Sequence, residues 1–129
     1  MNGSVHAGIE GLIRGMNDAW LSGRFDDLNQ YFAEDVVMVA PGGGMRMMGR
    51  EAMIDSFRQY TEQATTHNFD ETGLDVDVFE STAVASLRFD VDYELEGTRY
   101  QESGIDFLVL EHGDTGWLIV WRTQIPTAN

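Results

Sequence analysis

One carboxylate stands inside the most apolar part of the chain. Asp106 lies in "SGIDFLVL", a run that otherwise belongs in a core. Two chemistries fit a lone acid there. It is a structural acceptor satisfied by hydrogen bonds, or it is a pocket acid that apolar surroundings keep protonated and ready to donate. Other candidate groups are less pointed. "DVD" occurs at 75–77 and 90–92, and paired aspartates can hold a divalent cation. In a strand both acids of each pair share one face, opposite the apolar set, which makes a solvated stripe the simpler reading. His6, His67 and His112 have no partner at ligand spacing, so no metal site is expected. With no cysteine and no G-x-S-x-G, covalent hydrolase chemistry has no support.

The glycine run in "APGGGMRMMGREAMIDSF" (40–57) invites a phosphate-loop reading and fails it. Gly44 and Gly49 have the right spacing, but Arg50 and Glu51 stand where lysine and a hydroxyl residue are required. No parallel βαβ unit surrounds it, so a dinucleotide fold is excluded too. The stretch reads as a hairpin turn that delivers Met45, Met47 and Met48 as soft apolar side chains. No cofactor is expected.

These groups need a scaffold, and the periodicity supplies one. Ile9, Leu12, Ile13, Met16, Ala19 and Trp20 share one helical face over 4–22, with Ser4 as a cap and Gly23 as the stop. A short second helix is predicted over 25–32 and a third over 50–63, where Met53, Ile54, Phe57 and Tyr60 lie together. Strands are predicted at 36–41, 45–48, 66–79, 83–95, 98–111 and 117–125. The last four are joined by turns at Ser81-Thr82, Glu96-Gly97 and 113–116. In 83–95 the alternation is strict: Ala83, Ala85, Leu87, Phe89, Val91, Tyr93 and Leu95 oppose Ser86, Arg88, Asp90, Asp92 and Glu94. Helices followed by an antiparallel meander make a single α+β domain over 1–129.

Composition bounds the partners. The chain has 129 residues, enough for one core, and 43% of them are hydrophobic, so it folds rather than staying disordered. Twenty-two acids face eight arginines, for a net charge of −14, which repels phosphate backbones and excludes nucleic acid. No apolar run reaches the roughly 18 residues of a membrane span, and no signal peptide is apparent. A cytoplasmic location is expected.

The stretches "NDAWLSGRFDDLNQYFAEDVVMVAPGGG…MGREAMIDSF" and "STAVASLRFDVDYELEGTRYQESGIDFLVLEHGDTGWLIVWRT" resemble the nuclear transport factor 2-like superfamily, in its SnoaL-like branch. The carriers are the W-x-x-G-x-x-D-x-L run from Trp20 to Leu28, the strand from Asp35 to Pro41, the helix start Gly49-Arg50-Glu51 and the closing Gly116-Trp117 strand. The resemblance implies a cystatin-like cone: a strongly curved antiparallel sheet wrapped around three N-terminal helices, with a pocket at the open end. It also brings in ketosteroid isomerase and polyketide cyclase relatives. The isomerase's base position falls on Ala40 and its tyrosine on Met16, so steroid isomerisation is not expected. Its second pocket acid matches Asp106.

Under that register Asp106, Leu108 and Leu110 point inward, as do Trp117, Ile119, Trp121 and Thr123. Arg122 falls on the opposite face, in an interface or paired with an acid. The expected ligand contacts are Trp20, Met38, Met48, Phe57, Tyr60, Tyr93, Tyr100, Trp121 and Thr123. Tyrosine and tryptophan among them offer a ring to pack and a polar tip to orient a ligand. Because 105–110 and 117–121 are apolar on both faces, the outer face needs cover. Ile105, Phe107, Val109, Leu118 and Val120 are expected to meet a second copy of the chain. Two functions fit: a cofactor-independent isomerase, cyclase or dehydratase using Asp106 on a small apolar molecule, or a non-catalytic ligand-binding or dimeric association module.

Overall fold

The computed structural model describes residues 2–40 and 44–127. Apolar spacing sets α1 (Asn2–Leu21), whose Ile9, Ile13, Met16 and Ala19 are fully buried. The helix already runs at Asn2, so Ser4 lies inside it and is not its cap. It ends as expected at Gly23, whose φ of 76° glycine tolerates freely. The second helix is only a 3-10 turn, Phe25–Gln30, with Leu28 buried. Phe32 leaves it to begin β1 (Phe32–Val39), because its ring and Val36 both belong to the core beneath the sheet.

β1 turns back into β2 (Arg46–Met48), with Val37 opposite Met48 and the Ala40 amide donating to the Met45 carbonyl at 2.9 Å. This pairing is the hairpin expected of the glycine run, whose tip, Pro41-Gly42-Gly43, lies outside the described residues. Gly49, with φ 101°, then starts α2 (Arg50–Gln63), which buries Met53 and Ile54. Four long strands complete the chain: β3 (Ala64–Phe79), β4 (Thr82–Leu95), β5 (Thr98–Gly113) and β6 (Gly116–Thr127). Glu96 and Gly97 both have positive φ, the geometry of a two-residue hairpin turn. The β3–β4 turn is Glu80-Ser81, one residue earlier than expected.

The six strands form one curved, unclosed sheet in the order β2-β1-β6-β5-β4-β3. All pairings are antiparallel except β1 with β6, which run parallel. Helices cover the concave face, and Ala83 and Ala85 keep that face low enough for them to approach. Irregular register in β3, at Thr66/Asn68 and Thr72/Asp75, bends the sheet into a cone.

A second irregularity decides what faces inward. Leu110 pairs with Ile119, yet Val109 pairs with Trp121, so β6 has one extra residue, Val120, at that step. A single extra residue reverses the side on which every later side chain emerges. Ile119 is fully buried beneath the sheet, and after the bulge it is Arg122, 3% exposed, that points in.

Candidate functional site

The open end of the cone holds a cavity of about 540 Å³ between α1, α2 and the ends of β3 to β6. Trp20 centres its wall. It stacks on Phe57 with centroids 5.6 Å apart and meets Tyr60 and Phe69 edge-on at 5.7 and 5.5 Å. Phe69 stacks on Phe89, whose ring occupies the space over Gly104, where a Cβ would lie 2.6 Å from it. Tyr93 completes the wall toward the mouth and packs against Tyr60 at 5.8 Å.

Of the nine expected ligand contacts, Trp20, Met38, Phe57, Tyr60 and Tyr93 line this cavity. Met48 does not: it sits on the edge strand β2 and is 68% exposed. Tyr100 stands outside the lining, stacked on Tyr93 at 5.3 Å. The bulge turns Trp121 and Thr123 outward, opposite Val109 and Phe107, and puts Arg122 and Gln124 into the lining in their place. Arg122 is therefore on the inner face, contrary to the alternation expected for it, although it does pair with an acid. Residues that the periodicity did not single out as site residues include Asn17, Phe69, Phe89, Glu102 and Gln124.

Asp106 is 2% exposed and lies behind this lining. Its carboxylate accepts three hydrogen bonds from Arg122, from Nε at 2.9 and 3.2 Å and from Nη2 at 2.7 Å. That fork is the bidentate geometry a guanidinium forms best. Both Asp106 oxygens are engaged, so the expected pocket acid is an anchor that fixes Arg122. The guanidinium carbon sits 5.5 Å from the Phe57 centroid, and Nη1 has no protein partner among the described residues. A cation with a spare donor is thus held at the floor of an aromatic cavity.

Two further polar groups flank the wall. Asn17, 1% exposed, accepts from Trp20 Nε1 at 2.9 Å and donates to Glu71 at 2.8 Å. Burial pushes the Glu71 carboxyl up, against the lowering effect of that hydrogen bond. At the mouth the Tyr93 hydroxyl donates to Glu102 at 2.9 Å. Burial, reinforced by the Glu102 hydrogen bond and charge, raises Tyr93 to about 12, so it stays a donor at any ordinary pH. Tyr60 is raised as well, chiefly by burial.

The other candidates sit elsewhere. Asp75 and Asp77 are exposed, Asp90 accepts from Ser103, and Asp92 is forked by Arg99 at 2.8 and 3.2 Å. His67 contacts Glu94 at 3.3 Å on the surface, and His112 packs edge-on against Trp117 at 5.2 Å. Among the described residues no group of three or more His, Asp or Glu is placed to hold a metal, and no helix is long and apolar enough to cross a membrane.

Solved structures share this architecture. An NTF2-like protein from Cytophaga hutchinsonii aligns over 95% of this chain and 98% of its own, at 12% identity and a TM-score of 0.80. A ketosteroid isomerase-like protein from Erwinia carotovora atroseptica aligns over 95% and 96%, at 13% identity and 0.77. A Catenulispora acidiphila structure in complex with S-DNPA aligns over 96% and 94%, at 21% identity and 0.78. At these identities the likeness is one of fold. No functionally curated protein matches the sequence. The SnoaL-like domain profile, however, matches residues 9–123, nearly the whole chain, and this places the protein in the SnoaL-like family, with a fold like that of the NTF2-like structure.

Proposed function

We propose that the protein binds, in the cone, a small, ring-bearing molecule without an acidic group and orients it through an oxygen that accepts a hydrogen bond from Arg122 Nη1. The observation that carries this reading is Arg122 itself. It is 3% exposed, locked by Asp106 through two of its nitrogens, and keeps the third toward an aromatic cavity. The exclusion of an acid follows from the charges. The Arg122–Asp106 pair sums to zero, and a carboxylate ligand would lose its hydration inside a chain of net charge −14 without meeting an unpaired cation. A volume of about 540 Å³ suits a two- or three-ring molecule.

Turnover of the isomerase, cyclase or dehydratase kind is the second reading. Arg122 could stabilise a developing oxyanion, which is the electrostatic half of such chemistry. The other half is a base within about 3 Å of the proton removed. Asp106 has both oxygens on Arg122, and Glu102 lies four residues from Asp106 along β5, roughly 13 Å at strand spacing. Binding therefore stands ahead of catalysis.

Titration of acetylnaphthalene into the protein, followed by calorimetry, tests the assignment. Arg122→Met alone strands a buried carboxylate, so the informative variant is Arg122→Met with Asp106→Leu, which removes the pair together. Wild type should bind, and the double variant should bind about tenfold or more weakly, the worth of a hydrogen bond to a charged group. Absence of binding, or equal affinity in the two proteins, overturns the reading.

We also propose that the outer sheet face pairs with a second copy of the chain. Ile105, Phe107, Val109, Leu118 and Val120 are each half-buried there, and the bulge adds Trp121 to the same face. From Ile105 to Val109 the outward positions of β5 carry no charge, a gap in an otherwise acidic surface where two copies of net charge −14 can approach.

A further inference from the structure

The cavity has two polar ends. Arg122 marks the floor. At the mouth, Glu102 is the single acidic side chain in the lining. Its Oε2 is taken by the Tyr93 hydroxyl, while Oε1 has no hydrogen bond among the described residues. Among the described residues no cation is paired with it: Arg99, on the same strand, is forked onto Asp92. The groups around Glu102 are electron-rich rings, with Tyr60 and Tyr93 packed edge-on and Tyr100 stacked behind.

Between the two ends the inner face of β5 is blank. Gly104 lies midway, and the Phe89 ring covers it, so β5 itself puts no polar side chain between Glu102 and Asp106; Gln124, opposite Asp106 on β6, is the polar side chain of the lining beside Arg122. Glu102 and Asp106 are four residues apart on one face, a span of roughly 13 Å. A molecule that fills the cavity thus meets an acceptor-seeking group at one end and a carboxylate among aromatic rings at the other. Carboxylate plus ring faces is the surroundings in which an ammonium group is stabilised, by ion pairing and by the negative faces of the rings.

We infer that the ligand is an aromatic molecule carrying an alkylamine arm, with its oxygen on Arg122 at the floor and the protonated amine at the mouth between Glu102, Tyr93 and Tyr60. This rests on the binding reading above and extends it from a ring system without an acidic group to one carrying a cationic arm. The chain's net charge of −14 favours the approach of such a cation. The buried Arg122–Asp106 pair leaves no uncompensated positive charge inside to oppose it.

Three probes decide the matter: acetylnaphthalene carrying an aminoethyl, a hydroxyethyl or a carboxyethyl arm on its far ring, each titrated at neutral pH. The expected order is amine, then alcohol, then acid, with about tenfold between amine and alcohol. Glu102→Gln, whose amide oxygen still accepts from Tyr93, should bring the amine-to-alcohol ratio to about one. Equal affinities for the three arms in wild type overturn the amine assignment and leave the pocket reading standing. A ratio that survives in Glu102→Gln overturns it as well. Failure of all three probes to bind removes both.

Discussion

Arg122 and Asp106 are held together by three hydrogen bonds of 2.7 to 3.2 Å, each residue no more than 3% exposed, on adjacent strands sixteen positions apart. Charges so deeply buried are tolerable only as a pair. Asp106→Asn leaves the guanidinium without its counter-charge and should cost about 3–5 kcal/mol in urea unfolding at neutral pH. The paired replacement by Leu and Met should restore most of that loss, since an apolar pair of similar volume is close to neutral. An Asn variant as stable as wild type would mean that Asp106 is not the anchor described.

Glu71 gives the fold a pH dependence of known sign. Its carboxyl is raised, first by burial, then by the charges of Asp18 and Asp106, while the Asn17 hydrogen bond and Arg14 oppose the shift. An acid raised on folding binds its proton more tightly in the native state. Stability is therefore fully favoured below the unfolded value of 4.5 and declines as pH rises from there through the folded value. Glu71→Gln keeps an acceptor for Asn17 and should flatten that part of the curve. Denaturation midpoints for the two proteins between acid and neutral pH provide the check. Parallel curves would count against the shift.

The outer face makes a prediction about salt. If two copies of net charge −14 pair through Phe107, Val109 and Trp121, association should strengthen as salt screens the repulsion between them. Val109→Asp should convert the dimer to monomer, weakening association by at least tenfold, because it buries a charge in the patch. Light scattering at micromolar protein, with and without added salt, reads both effects. A monomer mass for wild type in high salt refutes the interface.

Much of the scaffold was legible in the sequence because it rests on periodicity. The strict alternation of 83–95 put Ala83, Ala85, Leu87, Phe89, Val91, Tyr93 and Leu95 of β4 on the inner face, and the bounds of α2 followed from Met53, Ile54, Phe57 and Tyr60. The site was legible only up to Val120. Alternation carried past an extra residue gives the wrong parity, which is why Trp121 and Thr123 were expected inside and Arg122 outside. A pairing signal was nonetheless present. A lone Asp in "SGIDFLVL" and a lone Arg in "WLIVWRT" are each implausible in a core alone and sensible only together. Met48 and Tyr100 misled for another reason: an edge strand and a cavity rim are exposed by topology, which side-chain type does not reveal.

The parallel pairing of β1 with β6 ties residues from opposite ends of the chain, and the Thr123 hydroxyl donates to the Val39 carbonyl across a separation of 84 residues. The counter-charge of Asp106 is delivered by that same final strand. A chain cut short before β6, by interrupted synthesis or by a protease, leaves β1 without its inner neighbour, and a cut anywhere before Arg122 leaves Asp106 as an isolated carboxylate beneath the sheet. Every earlier strand can be present and the fold still lacks the group that neutralises its centre. Completeness of the polypeptide is thus written into its electrostatics, and a fragment announces itself by instability.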